Sequence, residues 1–180
     1  MEQCPRLVVV RGNAASGKTS IATELQRAWG PGVAVIGQDH FRRVVLREHD
    51  VPGADNIGLI AHTVRYCASI GLHVVLEGIL LTEHYGPMLR ELVAEHPGPT
   101  HVFYVDVPPE ETMRRHLARP LGAVVPAEVF GEWYVDDDRL GVPGEVALDG
   151  APPLEIVLAA LREHLGPLEP QRERDPSRYL

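Results

Sequence analysis

The sequence predicts an α/β domain in which helices cover a parallel sheet. Short apolar runs with many β-branched residues alternate along the chain with amphipathic helical segments. A glycine-rich motif joins the first of these runs to the first helical segment. The length of 180 residues suits one compact domain, and no internal repeat divides it.

Five runs are the predicted strands of this sheet. The first four are almost continuously apolar, as expected of parallel strands that are covered by helices on both faces. The predicted strands span residues 7–11, 33–36, 73–77, 101–106 and 145–148.

Helical patterns fill most of the intervals between the strands. Apolar residues recur at helical spacing in the segments 19–29, 57–70, 85–93 and 154–165. Because strands and helices alternate, we expect neighbouring parallel strands to be joined by right-handed βαβ crossovers.

Residues 107–144 interrupt the alternation. A helix that opens near Pro108 ends at Pro120, and a second helical stretch passes through Phe130. We interpret this excursion as a lid within a single domain that spans residues 1–165. The charged, proline-rich segment 166–180 is predicted to be a tail that is disordered or lies across the surface.

Composition and charge argue against several classes of protein. The net charge of −8 argues against a nucleic-acid-binding surface, and no apolar run approaches the roughly 18 residues that cross a membrane. Residues 1–6 lack the features of a secretory signal. Two cysteines outside any paired motif are expected to be free thiols. These observations predict a cytoplasmic protein and leave its oligomeric state open.

The segment 12–19 matches the pattern G-x-x-x-x-G-K-[ST] between a buried strand and an amphipathic helix. Backbone N–H groups and the helix N-terminus would hold the phosphates of ATP. Lys18, a predicted catalytic residue and the only lysine, would contact the β- and γ-phosphates, and Thr19 would be a ligand to Mg²⁺. Loop 149–153 is a candidate contact for the adenine. The predicted nucleotide-binding residues are Gly12, Asn13, Ala14, Ala15, Ser16, Gly17, Lys18, Thr19 and Ser20.

Asp39 follows the second predicted strand, where the carboxyl ends of parallel strands form ligand sites. As a catalytic residue, its carboxylate would orient an attacking hydroxyl or accept its proton. Arg42 and Arg43 would bind an anionic part of the acceptor. His40 and Phe41 complete the predicted acceptor-binding segment. Alternatively, Asp39 caps the following helix and the arginines are solvated.

Glu77 ends the third predicted strand, and Gly78 would let the chain turn close to a ligand. Glu77 is predicted to hold Mg²⁺, through a bound water, or to bind the acceptor. The structural alternative is a buried carboxylate that pairs with an arginine.

Three arginines, Arg114, Arg115 and Arg119, lie on the helix after the fourth strand. Arg115 and Arg119 are four residues apart and share a helix face. They are predicted catalytic residues that close over the phosphates and neutralise charge on the transferring group. Alternatively, this is a solvated face that Glu110 and Glu111 balance.

The motifs resemble those of small P-loop kinases related to nucleoside monophosphate kinases. The segments DHFRR at 39–43 and VVLEGIL at 74–80 resemble uridine kinases, and RGNAASGKTS at 11–20 resembles chloramphenicol phosphotransferase-type enzymes. The resemblance implies a three-layer P-loop kinase fold with strand order 2-3-1-4-5 and a helical lid. It also implies that Asp39 acts on the acceptor hydroxyl and that the lid arginines lie within 114–119.

The residues and the resemblance together predict a kinase that moves the γ-phosphoryl group of ATP to a hydroxyl of a small molecule. A nucleoside, an antibiotic, a sugar and another alcohol are all open as acceptors. The segment 133–138 matches no signature of either family.

Two other functions stay open. A polynucleotide 5′-hydroxyl kinase would need a basic and aromatic groove, for which the sequence offers Arg42, Arg43, Arg47 and Phe41. A regulatory or motor NTPase would hydrolyse the nucleotide instead. The Asn-Lys-x-Asp motif of GTPases is absent because Lys18 is the only lysine, and an AAA-type motor would carry a larger helical domain after the core.

Overall fold

The computed structural model describes residues 4–120 and 125–167. Its parallel sheet has five strands in the order β2-β3-β1-β4-β5, so the predicted fold class and strand order are confirmed. The strands are β1 (Leu7–Arg11), β2 (Val33–Gly37), β3 (His73–Gly78), β4 (Thr100–Asp106) and β5 (Val146–Asp149).

Six α-helices connect or flank these strands in the described ranges. They are α1 (Lys18–Trp29), α2 (Asp55–Ser69), α3 (Thr82–Glu95), α4 (Pro109–Leu117), α5 (Ala127–Glu132) and α6 (Leu154–Leu165). None of these helices has the length and apolar character needed to cross a membrane. The predicted tail lies outside the described residues from position 168 onward, as do positions 121–124 of the predicted lid.

A π-helix, His40–Leu46, lies between β2 and α2. The sequence analysis predicted no helical stripe here, because a stripe marks a helix face that is buried in the core. No residue of the π-helix is fully buried, and its apolar residues Val44, Val45 and Leu46 are exposed.

The strand β5 begins one residue later than predicted, so Glu145 lies outside it. The Glu145 carboxylate accepts hydrogen bonds from the backbone N–H groups of Leu140 and Gly141, at 3.0 and 2.8 Å. It therefore fixes the turn that leads into β5.

The sheet separates two apolar cores, and β1 shows why. Leu7 and Val9 point to the core beneath α2 and α3, whereas Val8 and Val10 point to the core beneath α1 and α6. All four side chains are fully buried. Successive side chains of a strand point to opposite faces, so a run of consecutive apolar residues is what a central strand of a three-layer fold requires.

The carboxyl ends of the strands meet at one edge of the sheet. Arg11, the last residue of β1, lies in register with Gly78 and Tyr104 on the two neighbouring strands. Gly37 of β2 lies in register with Glu77 of β3. The loops after β1, β2 and β3, which carry most of the predicted site residues, therefore leave the sheet side by side.

Arg11 is a buried ionic centre at this edge. Its fully buried guanidinium donates to the Asp138 carboxylate at 2.7 Å and to the Thr82 hydroxyl at 2.8 Å, and it lies 3.5 Å from the Glu145 carboxylate. Asp138 also accepts the backbone N–H of Thr82, at the start of α3. The segment 133–138, which the sequence left unassigned, thus fixes the chain that returns from α5 to the sheet.

Replacing Arg11 by Met should destabilise the protein by about 3–5 kcal/mol, because Asp138 and Glu145 would be left partly buried without their cation. The free energy of unfolding in urea measures this loss. Arg27→Met is the matched control, since Arg27 pairs with Glu24 on the exposed surface of α1. Equal stabilities of the two variants would contradict the structural role of Arg11.

Candidate active site

The loop after β1 packs tightly against β4. At Gly12, where φ is 143°, a β-carbon would lie 2.5 Å from the carbonyl oxygen of Val105. Gly17, with a φ of 98°, precedes the first residue of α1 in the left-handed region. The two glycines thus allow the loop to turn into the N-terminus of α1, where free N–H groups and the helix dipole favour phosphate binding.

Lys18 lies inside this loop and is only 7% exposed. Its Nζ donates to the backbone oxygen of Asn13 at 2.6 Å and to the Ser16 hydroxyl at 3.1 Å. Burial lowers the pKa of Lys18 to about 8, although the nearby carboxylates of Glu77 and Asp39 oppose this shift. The structure therefore places an incompletely compensated cation within the predicted phosphate site.

The two residues predicted to hold Mg²⁺ lie together. The Thr19 hydroxyl donates to Glu77 at 3.2 Å. Burial raises the pKa of Glu77, an effect that the charge of Lys18 and the Thr19 hydrogen bond oppose. Gly37 leaves room for this carboxylate, since a β-carbon there would lie 2.9 Å from Oε1.

This pair of oxygen ligands fits Mg²⁺, which keeps several waters and takes few protein ligands beside the phosphates of a nucleotide. The described residues contain no group of three or more His, Cys, Asp or Glu side chains that could hold a metal ion. Thr19 and Glu77 would therefore hold the ion jointly with the nucleotide.

Asp39 lies between β2 and the π-helix, with its side chain 63% exposed. Its Oδ1 accepts hydrogen bonds from Arg42 at 2.9 Å and from Arg43 at 3.2 Å. The side chain does not cap the helix. Oδ2 accepts no hydrogen bond from any described residue. The arginines thus bind Asp39 itself, and one carboxylate oxygen faces away from that pairing.

The other two residues of this segment differ from each other. His40 is exposed, whereas Phe41 is half-buried and packs against the core beneath α2 and α3. Phe41 therefore attaches the π-helix to the core, in addition to any contact with an acceptor.

Arg115 connects three parts of the structure. Its guanidinium donates to the backbone oxygens of Gly150 and Ala151 at 2.8 and 2.9 Å, and to Glu111 at 2.7 Å. It also lies 3.5 Å from the backbone oxygen of Ser16. The predicted catalytic arginine is thus a bridge between α4, the P-loop and the loop after β5.

The remaining two arginines of this segment are in different environments. Arg114 is exposed and pairs with Glu111, which agrees with the interpretation of a balanced, solvated helix face. Arg119 is exposed and makes no hydrogen bond through its side chain with the part of the chain that the structure describes. Its charge contributes to the lowered pKa of Lys18, after the larger effect of burial, so it lies near the phosphate site.

A cavity of about 370 Å³ lies between the P-loop, α4 and the loop that leads to α6. Ligand cavities usually have volumes of several hundred Å³. The predicted adenine loop and the predicted lid arginines therefore share one cavity with the P-loop. Its lining includes Ser16, Gly17, Arg115, Arg119, Gly150 and Pro152.

Asn13 uses its side chain within the protein. Its amide nitrogen donates to the backbone oxygen of Val135 at 2.8 Å, and its amide oxygen accepts the Val135 N–H at 3.0 Å. Only the backbone of Asn13 is thus available for the predicted nucleotide contact. The paired contact links the P-loop to the segment that follows α5.

Sequence reasoning missed a polar network beside Asp39. Gln38, which is fully buried, donates to Asp50 at 3.1 Å. Asp50 also contacts Nδ1 of His84 at 3.2 Å and the hydroxyl of Tyr85 at 3.1 Å. These residues come from three separate segments, and no spacing in the sequence connects them.

The chain matches the AAA domain family over residues 7–133. No curated protein matches the sequence. Several solved structures share its fold.

The APS kinase from Mycobacterium tuberculosis, in complex with AMPPNP and APS, has 19% identity and a TM-score of 0.68, and the alignment covers 91% of this chain and 98% of that one. A gluconokinase from Sinorhizobium meliloti has 23% identity and a TM-score of 0.61, with coverages of 91% and 97%. A sugar kinase from Janibacter has 23% identity and a TM-score of 0.64, with coverages of 89% and 94%. These likenesses confirm the predicted fold, while the narrower resemblances to uridine kinases and chloramphenicol phosphotransferases stay predictions.

Lys18 should make stability depend on pH. Its folded pKa of about 8 lies below the ordinary value of 10.5, so the unfolded chain binds more protons between these values. We expect the free energy of unfolding to gain a contribution that rises with pH from about 8 to 10, and this contribution to be lost in Lys18→Met. Denaturant titrations without nucleotide or Mg²⁺ measure it, and parallel pH curves for the two proteins would contradict the assignment.

Proposed function

We propose that this chain, which belongs to the AAA domain family, is an ATP-dependent phosphotransferase that moves the γ-phosphoryl group to a hydroxyl of a small molecule. One observation carries the proposal. The P-loop with its buried Lys18 shares the carboxyl edge of the sheet with Asp39, whose Oδ2 accepts no hydrogen bond from the described residues. Such an edge can hold a phosphate donor and an acceptor hydroxyl next to each other.

The fold likenesses support this proposal by analogy. The solved neighbours are named as kinases of APS, gluconate and sugars, and one of them holds both AMPPNP and APS. Since one fold supports many functions, the site residues must carry the argument for activity.

The cavity beside the P-loop supports our proposal for where the nucleotide binds. The adenine would lie against the loop after β5, which Arg115 fixes through the carbonyls of Gly150 and Ala151. The phosphates would lie at the N-terminus of α1, with Lys18 at the β- and γ-phosphates.

The acceptor hydroxyl would donate its hydrogen bond to Oδ2 of Asp39. Its oxygen then bonds to the γ-phosphorus, the bond from that phosphorus to the β–γ bridging oxygen breaks, and ADP leaves. The hydroxyl proton passes to Asp39. Lys18 stabilises the charge that develops on the transferring group, and Arg119, whose side chain forms no hydrogen bond with the described residues, would assist.

Thr19 and Glu77 would hold Mg²⁺ between the P-loop and the acceptor side. When bound, the ion screens the negative charge of the phosphates. Glu77 also keeps its own hydrogen bond with Thr19, so the two ligands orient each other before the nucleotide arrives.

We propose a small molecule, and not a polynucleotide, as the acceptor. Of the residues that were candidates for a basic and aromatic groove, Phe41 packs against the core, and Arg42 and Arg43 both pair with Asp39. We therefore place a small-molecule acceptor in this site. We also propose that the activity belongs to one domain, residues 1–165 with a lid at 107–144, in the cytoplasm.

Transfer of label from γ-labelled ATP tests the function. Hydroxyl compounds and a 5′-hydroxyl oligonucleotide are offered separately to the wild-type protein and to Lys18→Ala. We expect label in a small acceptor with the wild type only. Label that appears solely as inorganic phosphate would favour a regulatory NTPase, and label in the oligonucleotide would favour a polynucleotide kinase.

We expect Asp39→Asn to lower kcat by about 10²–10⁴-fold with little change in the KM for ATP, because the amide cannot accept the hydroxyl proton. Arg43→Gln is the matched control, since it removes one partner of Asp39 but leaves the carboxylate. Full turnover of Asp39→Asn would remove Asp39 from the mechanism.

Glu77→Gln should behave differently, since Glu77 is assigned to Mg²⁺ and not to the proton. We expect weaker binding of Mg²⁺-ATP and partial recovery of the rate at high Mg²⁺ concentration. Steady-state kinetics as a function of Mg²⁺ measure both effects, and a Mg²⁺-independent loss of kcat would reverse the two roles.

A further inference from the structure

We infer that His84 and Asp50 form a second acceptor-binding point, at which Nε2 of His84 accepts a hydrogen bond from a non-reacting hydroxyl of an uncharged polyhydroxy compound. This inference rests on the proposed function and names the class of acceptor. The substrate would thus be a sugar or sugar alcohol, with one hydroxyl at Asp39 and another at His84.

The pair lies on the acceptor side of the sheet edge. Gln38 directly precedes Asp39, and its side chain donates to Asp50 at 3.1 Å while accepting the backbone N–H of Leu80 at 3.1 Å. Leu80 follows the end of β3, and His84 lies in the first turn of α3. The network therefore spans the carboxyl ends of β2 and β3, next to Asp39 and Glu77.

The geometry leaves one nitrogen of His84 free. Nδ1 lies 3.2 Å from Oδ1 of Asp50, and a carboxylate at this distance favours the tautomer with its proton on Nδ1. Nε2 then has a lone pair, and no described residue forms a hydrogen bond with it. The side chain of His84 is 12% exposed, and Nε2 is not among the polar atoms that are buried without a partner. It is therefore open to a ligand.

Asp50 holds the imidazole in a fixed orientation. Besides His84, it accepts hydrogen bonds from Gln38 and from Tyr85, both of which are fully buried. Burial raises the pKa of Tyr85 to about 12, so its hydroxyl remains a donor at physiological pH. Asp50 is thus a positioning residue, and His84 is the residue that would touch the acceptor.

The charges around this point favour a neutral acceptor. An acceptor with a phosphate or sulfate group would need an arginine that is free to bind it. Arg42 and Arg43 both pair with Asp39, and Arg47 lies beyond them as the exposed C-cap of the π-helix. The carboxylate of Asp50 would repel an anionic group further. Hydroxyl groups, in contrast, both donate and accept hydrogen bonds, so they suit a site built of a carboxylate and an imidazole.

The experiment compares acceptors and variants in the transfer assay. The probes are ribose, glucose, glycerol and ribitol, together with ribose 5-phosphate and glucose 6-phosphate. We expect transfer to the uncharged compounds in preference to the phosphorylated ones. His84→Leu should raise the KM for the acceptor about tenfold, as for loss of one hydrogen bond, with the KM for ATP and kcat nearly unchanged.

Two controls separate recognition from structural damage. His84→Gln keeps a side-chain hydrogen-bond acceptor and should recover part of the affinity, and His62→Leu removes an exposed histidine of α2 and should have no effect. Deoxy analogues of the best sugar complete a cycle. With the wild type, one deoxy analogue should have a higher KM than the parent sugar. With His84→Leu, the same analogue and the parent sugar should have equal KM values.

The outcomes distinguish this inference from the proposed function. Transfer to no hydroxyl compound would overturn the function itself. Preferred transfer to the sugar phosphates, or an unchanged KM for the acceptor in His84→Leu, would overturn the inference and leave the function standing. If His84→Leu does not fold, His84→Gln and the deoxy analogues with the wild type decide the question by the same criteria.

Discussion

The site depends on burying two opposite charges, those of Lys18 and Glu77, at the same edge of the sheet. Burial lowers the pKa of Lys18 and raises that of Glu77, so each ion is held against a cost in solvation. Hydrogen bonds to Asn13, Ser16 and Thr19 offset part of that cost. A triphosphate with its metal ion would supply opposite charges for both residues. The burial of Lys18 and Glu77, which costs solvation free energy in the free protein, would therefore favour the bound state.

The end of β1 also controls where the lid chain returns. Arg11 binds Asp138 from the sheet, and Asn13 binds Val135 from the P-loop. The helices α4 and α5, which we propose as the lid, thus leave from the end of β4, and the chain comes back to a point that is fixed beside the P-loop. Any movement of the lid has to take place between these two attachments, which limits the positions that Arg119 can reach.

The sequence predicted the parts of the structure that leave a local pattern. Central strands of a three-layer fold are apolar throughout, and the P-loop has a fixed spacing, so both were visible without coordinates. Asp39 and Glu77 were predicted as site residues from their positions at the ends of strands. The pairing of Asp39 with Arg42 and Arg43 was not predicted, because it depends on a π-helix that has no buried stripe. The contacts between Arg11 and Asp138 and between Asp50 and His84 join distant segments, and such pairings leave no periodic signal.

The chain has one lysine, and this lysine lies in the P-loop. Amine-reactive reagents therefore have a single side chain to modify. Burial lowers the pKa of Lys18 to about 8, so more of its side chains are uncharged and nucleophilic at neutral pH than for an ordinary surface lysine. Apart from the α-amino group, acylating reagents therefore meet a single primary amine, and only reagents small enough to enter the loop reach it. After digestion, the mass of the peptide that carries Lys18 would report covalent occupancy of this nitrogen separately from the α-amino group.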